Sequence, residues 1–344
     1  MDELRKSLPK KFEVNAIMNI DKPILIHQLI MKNRLVLPPM AIAKAGAQDE
    51  VSDQAVDYYA QRAKLSGIGL IITEHLYIHK QGKAHPGQMS IATDEKIDAL
   101  KSLTDAIHRE DVKVFAQISH AGTAASSTVT GAMPVGPSAV FHPNQRKELP
   151  GELTKGQIEE IVALFAEAAI RAEKAGFDGV EIHSAHGYLL NQFYSPLYNH
   201  RTDEYGCYTM ENRVRIHLEI IRAIRNALGA EYPITIRIGG CDYQEGGTSI
   251  ADTVQACKIL EKSGVDLLDI TGGMNGFIRP GHTEAGYFRE ISTAVKKQVD
   301  LPVLLTGGVK TIEDAEALLQ ANCADMVGIG RALLKNPQAL HFPN

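Results

Sequence analysis

The run His183-Ser184-Ala185-His186-Gly187-Tyr188 sets two imidazoles three residues apart, with a phenol two residues further on. Two neutral imidazoles on one side of a turn could donate to one oxygen and polarise a carbonyl, while the phenol hydroxyl delivers a proton. Two other readings stay open on spacing alone. HxxH could be half of a metal site, although no third ligand of suitable spacing accompanies it, or both histidines could be structural groups satisfied at a strand end. Near the C-terminus, Thr306-Gly307-Gly308 and Gly328-Ile329-Gly330-Arg331 combine glycines with a guanidinium. Glycines let backbone N–H groups approach phosphate oxygens, and an Arg pairs with them; the competing reading is that these glycines only serve tight strand-to-helix turns. Gln117 offers an amide donor and acceptor, and Arg237 offers a permanent cation able to stabilise an anionic ring. Each alone reads as a buried, hydrogen-bonded polar group. At one mouth with a phosphate site, they fit a phosphorylated heteroaromatic cofactor.

The elements that must position these groups alternate regularly. Eight short runs rich in Val, Ile and Leu, at residues 34–37, 69–74, 112–118, 179–184, 233–239, 267–271, 303–307 and 326–330, read as buried parallel strands. Helical patterns fill the gaps at 53–66, 94–109, 154–175, 211–228, 252–263 and 311–320, and a short helix is expected after Gly330. Gly67, Gly176, Gly229 and Gly264 follow four of these helices, where a left-handed residue closes the last turn. Thr154 with Gln157 reads as a capping box. With no linker or low-complexity tract, the pattern predicts an α/β chain folded as one (β/α)8 TIM-barrel domain over residues 1–344, with a doubly wound open sheet as the alternative. No GxGxxG follows a strand, so no separate Rossmann domain is expected. In a barrel the site lies at the C-terminal strand ends, and the loops after strands seven and eight are the usual phosphate site. The long loops 122–151, 187–210 and 272–287 all follow strands, as walls or lids of such a site would.

Composition narrows the partners. Among 344 residues, 36 Lys+Arg stand against 41 Asp+Glu, a net charge of −5 with the signs interspersed, which argues against nucleic acid or an anionic membrane as the main partner. With 44% hydrophobic and 22% charged residues the chain can bury a sizeable core. Cys207, Cys241, Cys257 and Cys323 lie far apart without a CxxC, so neither a disulfide framework nor a zinc or iron–sulfur set is expected, and a reducing cytoplasm fits best. Residues 1–15 lack the apolar stretch of a signal peptide, and the best apolar run, 68–72, is too short to span a bilayer. A soluble cytoplasmic protein is the expectation, and a homo-oligomer is compatible with it.

The chain resembles the Old Yellow Enzyme family of NADH:flavin oxidoreductases over nearly its whole length, most closely the bacterial ene-reductases and the flavin barrel of 2,4-dienoyl-CoA reductase. The most specific stretch runs from Gly176-Phe177-Asp178-Gly179-Val180-Glu181-Ile182-His183 through Tyr188-Leu189-Leu190-Asn191-Gln192-Phe193, Ser195-Pro196-Leu197 and Arg201-Thr202-Asp203-Glu204-Tyr205-Gly206 to Glu211-Asn212-Arg213. Lys32-Asn33-Arg34-Leu35-Val36-Leu37-Pro38-Pro39-Met40 and Gln117-Ile118-Ser119-His120-Ala121-Gly122 support it.

The resemblance implies FMN held non-covalently at the barrel mouth, with no metal. Pro39 and Met40 would line the isoalloxazine, Gln117 would bind its pyrimidine edge, Arg237 would sit near N1 and O2, and Gly307, Gly308, Gly330 and Arg331 would hold the phosphate. His183 and His186 would bind the substrate's carbonyl oxygen, and Tyr188 would be the proton donor. The implied activity is NAD(P)H-dependent, ping-pong reduction of the C=C bond of α,β-unsaturated carbonyl or nitro compounds through flavin N5. Ala41 and His75 depart from the pattern: the family often has a cysteine or threonine at the first position and a small residue at the second. The His75 ring either turns outward or narrows the pocket. The fused domains and Fe–S cysteines of the long dienoyl-CoA reductases are absent from this sequence, so electrons are expected directly from nicotinamide. A flavin-free, phosphate-binding barrel lyase or isomerase, and a non-catalytic flavin-binding protein, are the readings from other classes.

Overall fold

Alternation along eight parallel strands sorts their side chains into an inner and an outer layer. In the computed structural model, which describes residues 18–143 and 147–340, the strands are β1 (Leu35–Leu37), β2 (Leu70–Ile72), β3 (Lys113–Ser119), β4 (Gly179–Ser184), β5 (Ile234–Gly239), β6 (Leu267–Thr271), β7 (Val303–Thr306) and β8 (Met326–Gly328). Each pairs in parallel with the next, and β8 pairs with β1, so the sheet closes on itself. The architecture is the expected (β/α)8 barrel, and the open-sheet alternative is excluded by that closing pair.

The outward-facing strand residues, among them Leu35, Leu37, Ile71, Val114, Ala116, Val180, Ile182, Ile236, Leu268, Ile270 and Leu305, join one large buried cluster with the surrounding helices. Val36, Leu70, Ile72, Phe115, Leu267, Leu304 and Met326 form a separate cluster inside the barrel. This inner cluster also contains Ile26 and Met31, contributed by an antiparallel hairpin of Ile24–Ile26 and Leu29–Met31. The sequence pattern does not announce this hairpin. It seals the N-terminal mouth with apolar side chains, leaving the C-terminal mouth for chemistry.

The helices that follow the strands in turn are α1 (Asp53–Leu65), α2 (Ile97–His108), α3 (Lys155–Lys174), α4 (Arg215–Leu228), α5 (Ile250–Glu261), α6 (Arg289–Lys296), α7 (Ile312–Gln320) and α8 (Arg331–Lys335). The capping box at α3 is present: Gln157 N donates to Thr154 Oγ1 at 3.3 Å, and Thr154 N donates to Gln157 Oε1 at 2.9 Å. Two helical expectations need correction. The 94–109 pattern opens as a 3-10 turn, Asp94–Lys96, before α2, and the 211–228 pattern is two helices, Met210–Arg213 and α4, because Val214 leaves helical geometry at ψ 3°. Helix α6 has no counterpart in the sequence pattern. Among the described residues no helix is long and apolar enough to cross a membrane.

Candidate active site

Inward positions change character toward the C-terminal ends of the strands. Above the apolar layer lie Gln117, Glu181, Thr235, Arg237 and Asp269, all buried. Strand register explains the assembly: Gln117 on β3 is opposite Glu181 on β4, and Arg237 on β5 is opposite both His183 on β4 and Asp269 on β6. Gln117 Nε2 donates to Glu181 Oε1 at 2.9 Å, which turns the amide nitrogen inward and leaves the carbonyl oxygen for another partner. Arg237 Nε lies 3.0 Å from Asp269 Oδ2, but neither atom has an aligned hydrogen-bond partner. Burial drives the Glu181 and Asp269 carboxyls upward; for Glu181 repulsion from Asp269 adds to it, and Arg237 opposes the rise in both.

Over this layer opens a cavity of about 480 Å³. Every residue singled out from sequence lines it: Pro39, Met40, Ala41, His75, Gln117, His183, His186, Tyr188, Arg237, Gly307, Gly308, Gly330 and Arg331. They reach it from the ends of every strand except β6, or from the turns that follow them. In an eight-stranded ring β7 stands opposite β3, so the glycine turn after β7 and the Gln117 amide define opposite ends of one slot. Gly308 has φ 73°, and a Cβ there would collide with the carbonyl of Glu284. A Cβ on Gly330 would stand 2.7 Å from Met40 Sδ. The turn at Gly308 therefore needs glycine, which brings bare backbone to the cavity wall, whereas at Gly330 the flexible Met40 side chain would have to shift.

On the β4 side, the His183 and His186 ring centroids are 5.4 Å apart, and the Tyr188 ring is 5.0 Å from His183. His186 Nε2 is 3.0 Å from Thr271 Oγ1, a hydroxyl that can donate or accept and so match either tautomer. His183 Nδ1 is buried without a partner. Burial, the first cause in each case, holds both imidazoles well below the usual histidine range and the Tyr188 phenol above the usual tyrosine value. The site thus presents neutral N–H donors and a protonated phenol at physiological pH. The His75 ring turns into the cavity, with Nε2 at 3.1 Å from the Tyr188 hydroxyl oxygen.

Sequence reasoning missed His85, Thr271 and Phe277 in the lining, together with the Glu181 and Asp269 carboxyls beneath it. Phe277 falls in the glycine-rich loop after β6 that was expected to form a wall, and its ring lies 5.9 Å from that of His186. The acidic pair had a usable signal: Glu181 shares the inward parity of His183, and Asp269 that of Thr271. Among the described residues no group of three or more His, Cys, Asp or Glu is placed to hold a metal ion.

The burial of so many histidines has a consequence for stability. His75 and His120 are lowered to about 3 and His142 and His217 to about 4, chiefly by burial, and His183 and His186 shift the same way. With folded values below the unfolded one, their contribution is complete above about pH 6.5 and is lost as pH falls from there. Burial raises three carboxyls, Glu74 to about 7 along with Glu181 and Asp269, and these offset part of the loss by taking up protons in the folded state. Six groups outweigh three, so stability should fall between about pH 6.5 and 4.5, by about 1.4 kcal/mol per pH unit for each net proton. Urea unfolding at about pH 7.5 and about pH 5 checks this, and an unchanged midpoint contradicts it.

One cavity at the barrel mouth thus joins a buried cation, an amide, glycine turns and a cluster of neutral donors. The chain belongs to the NADH:flavin oxidoreductase / NADH oxidase family, whose model matches residues 19–341. It is 39% identical over 322 residues to the NADH oxidase of Thermoanaerobacter brockii, covering 91% of this chain and 48% of that protein, and thus spans about half of that relative's length. It is 36% identical over 323 residues to the NADPH dehydrogenase of Clostridium acetobutylicum, covering 93% of each. The structure of the old yellow enzyme homologue from Zymomonas mobilis superimposes with a TM-score of 0.80 at 28% identity, covering 93% of this chain and 90% of that one. Family membership implies FMN as cofactor and NADH or NADPH as reductant. The residues present fit that cofactor: Gln117 keeps an acceptor free for a ring N–H, Arg237 supplies a buried cation, and the glycine turns end beside Arg331.

Proposed function

We propose that this chain is an FMN-dependent ene-reductase that reduces the C=C bond of α,β-unsaturated carbonyl or nitro compounds with electrons from NAD(P)H. The observation that carries this reading is the convergence of His183, His186 and Tyr188 on one wall of the cavity that Gln117, Arg237 and the glycine turns also line. Pro39 and Met40 would flank the flavin ring, Gln117 and Arg237 would hold its pyrimidine edge, and Gly307, Gly308, Gly330 and Arg331 its phosphate. Bound there, FMN supplies the two-electron chemistry, accepting reducing equivalents from NAD(P)H and passing them to the substrate's β-carbon. His183 and His186 donate hydrogen bonds to the substrate oxygen and so favour the negative charge that develops on it. Tyr188 gives its phenolic proton to the α-carbon. One cavity serves both partners, so nicotinamide must leave before the unsaturated substrate enters, which makes the reaction ping-pong. Incubation with NAD(P)H and cyclohexenone or a nitroalkene under nitrogen should consume the C=C bond in step with nicotinamide oxidation. A protein that oxidises NAD(P)H only with oxygen and leaves both compounds intact would lose this substrate assignment while keeping its family.

Ala41 bears on the driving force. Its methyl group lines the cavity and offers no hydrogen bond, and His75 Nε2, also at the cavity, is engaged by Tyr188, so a cysteine or threonine here would add a donor toward the flavin C4 carbonyl. A new hydrogen bond of about 0.5–1.5 kcal/mol would favour the electron-rich reduced ring by about 10–30 mV. Ala41→Thr and Ala41→Cys should therefore raise the flavin midpoint potential, easing reduction by NAD(P)H and slowing transfer to the enone. Spectroelectrochemical titration reads this directly, and a potential equal to or below the parent's in either variant refutes it.

A further inference from the structure

His75 lines the cavity beside Tyr188, and hydrogen bonds to it and to the residue before it fix it there. Its backbone carbonyl accepts from Gln88 Nε2 at 2.7 Å. The residue before it, Glu74, is tied at both ends: its N–H donates to the Tyr59 hydroxyl at 2.8 Å, and its carboxylate accepts from Ile42 N at 2.9 Å. The ring so placed packs edge-on to Tyr188, centroids 5.3 Å apart, with Nε2 3.1 Å from the phenol oxygen. His85, 5.4 Å away, and His183, 6.2 Å away, are its other ring neighbours.

A phenol has one proton. If Tyr188 gives it to His75 Nε2, none is left to point at a substrate; if His75 carries a proton on Nε2 and donates to the phenol oxygen, the Tyr188 proton is free. We propose that His75 is the donor in this pair: its Nε2–H holds the Tyr188 hydroxyl proton toward the substrate and stabilises the phenolate left behind. This rests on the reading of Tyr188 as the acid. In the step, the α-carbon gains the Tyr188 proton, the O–H electron pair stays on the phenolate oxygen, and solvent later restores the proton. Burial, then His85 and Arg237, lowers the His75 pKa to about 3, so the ring is neutral and has a single N–H to assign. Without that donor, a buried phenolate would have its charge in a site that already resists ionisation of Tyr188. His75 is thus a positioning residue that acts through Tyr188.

Two independent measurements test it. Long-range 1H–15N spectra of 15N-histidine-labelled, FMN-loaded protein report the tautomer, with His75 assigned by the signal that disappears in His75→Gln. The expected result is a proton on Nε2 and a bare Nδ1; a proton on Nδ1 alone overturns the proposal, and this arm needs no active variant. In rapid mixing of reduced protein with enone, His75→Leu should slow flavin reoxidation by about tenfold to a hundredfold, the range for a hydrogen bond to a charged group. His75→Gln keeps an N–H near the Nε2 position and should recover most of that loss. Added to Tyr188→Phe, His75→Leu should cost nothing further. An unimpaired His75→Leu, or an equal loss in the Tyr188→Phe background, overturns the proposal. If Tyr188→Phe alone leaves reoxidation unchanged, the acid assignment has failed instead, and the role assigned to His75 falls with it.

Discussion

Replacing His183 and His186 together with alanine should lower kcat/KM for an enone by at least about a hundredfold while FMN remains bound. The expected size follows from oxyanion donors elsewhere, where removing one costs about 10²- to 10³-fold, or roughly 3–4 kcal/mol of transition-state stabilisation. The two rings share one wall, 5.4 Å apart, and burial keeps both neutral, so each has one N–H to offer and neither is a fixed charge that would bind ground and transition states alike. Their contribution should therefore appear mainly in kcat, because the substrate oxygen acquires most of its charge only as the β-carbon is reduced. FMN retention is expected because the groups assigned to its ring and phosphate, among them Gln117, Arg237 and Arg331, come from other strands. Steady-state kinetics with the flavin content measured on the same sample separates the two effects. Near-normal enone reduction by the double variant would remove the oxygen clamp from the mechanism.

Tyr188→Phe should leave reduction of the flavin by NAD(P)H largely intact and slow its reoxidation by enones by about 10²- to 10⁴-fold, the range for a positioned general acid. Burial raises the phenol above its ordinary value, so the hydroxyl stays protonated well into the alkaline range and the parent's reoxidation rate should not fall on that account as pH rises from about 7 to about 9. Nitroalkenes give a nitronate, a stable anion that can leave before it is protonated, and should suffer less from the loss. Stopped-flow measurement of each half-reaction decides the matter. Equal slowing of both halves would show that the ring, rather than its proton, is what the site uses.

The barrel was legible because buried parallel strands are short apolar runs, and every observed strand overlaps its expected run with bounds differing by at most two residues. That the glycine turns after β7 and β8 line the cavity was legible because a barrel site lies at the C-terminal strand ends, and the His183 to Tyr188 string was legible because it carries its own spacing. What escaped was structure whose logic lies between segments. The hairpin that plugs the barrel has strands of three residues with Leu25 and Ile30 exposed, too short for alternation to stand out from a loop. Helix α6 carries the β-branched Ile291, Thr293 and Val295, poor helix formers whose element is stabilised by burying Ile291, Ser292 and Val295. The polar layer around Arg237 depends on register between β4, β5 and β6, and His85 enters the site from a loop whose path no local pattern describes. His75 was visible as a departure, but only the fold turns its ring onto Tyr188.

Whether this cavity holds FMN and reduces it with nicotinamide is decided most directly by one anaerobic titration. Purified protein should be yellow, and adding NADH or NADPH without oxygen should bleach the visible flavin bands, with the colour returning when an enone is supplied. A colourless protein that also fails to take up added FMN would contradict the cofactor assigned to the barrel mouth, and a yellow one whose spectrum neither nicotinamide changes would contradict the chemistry.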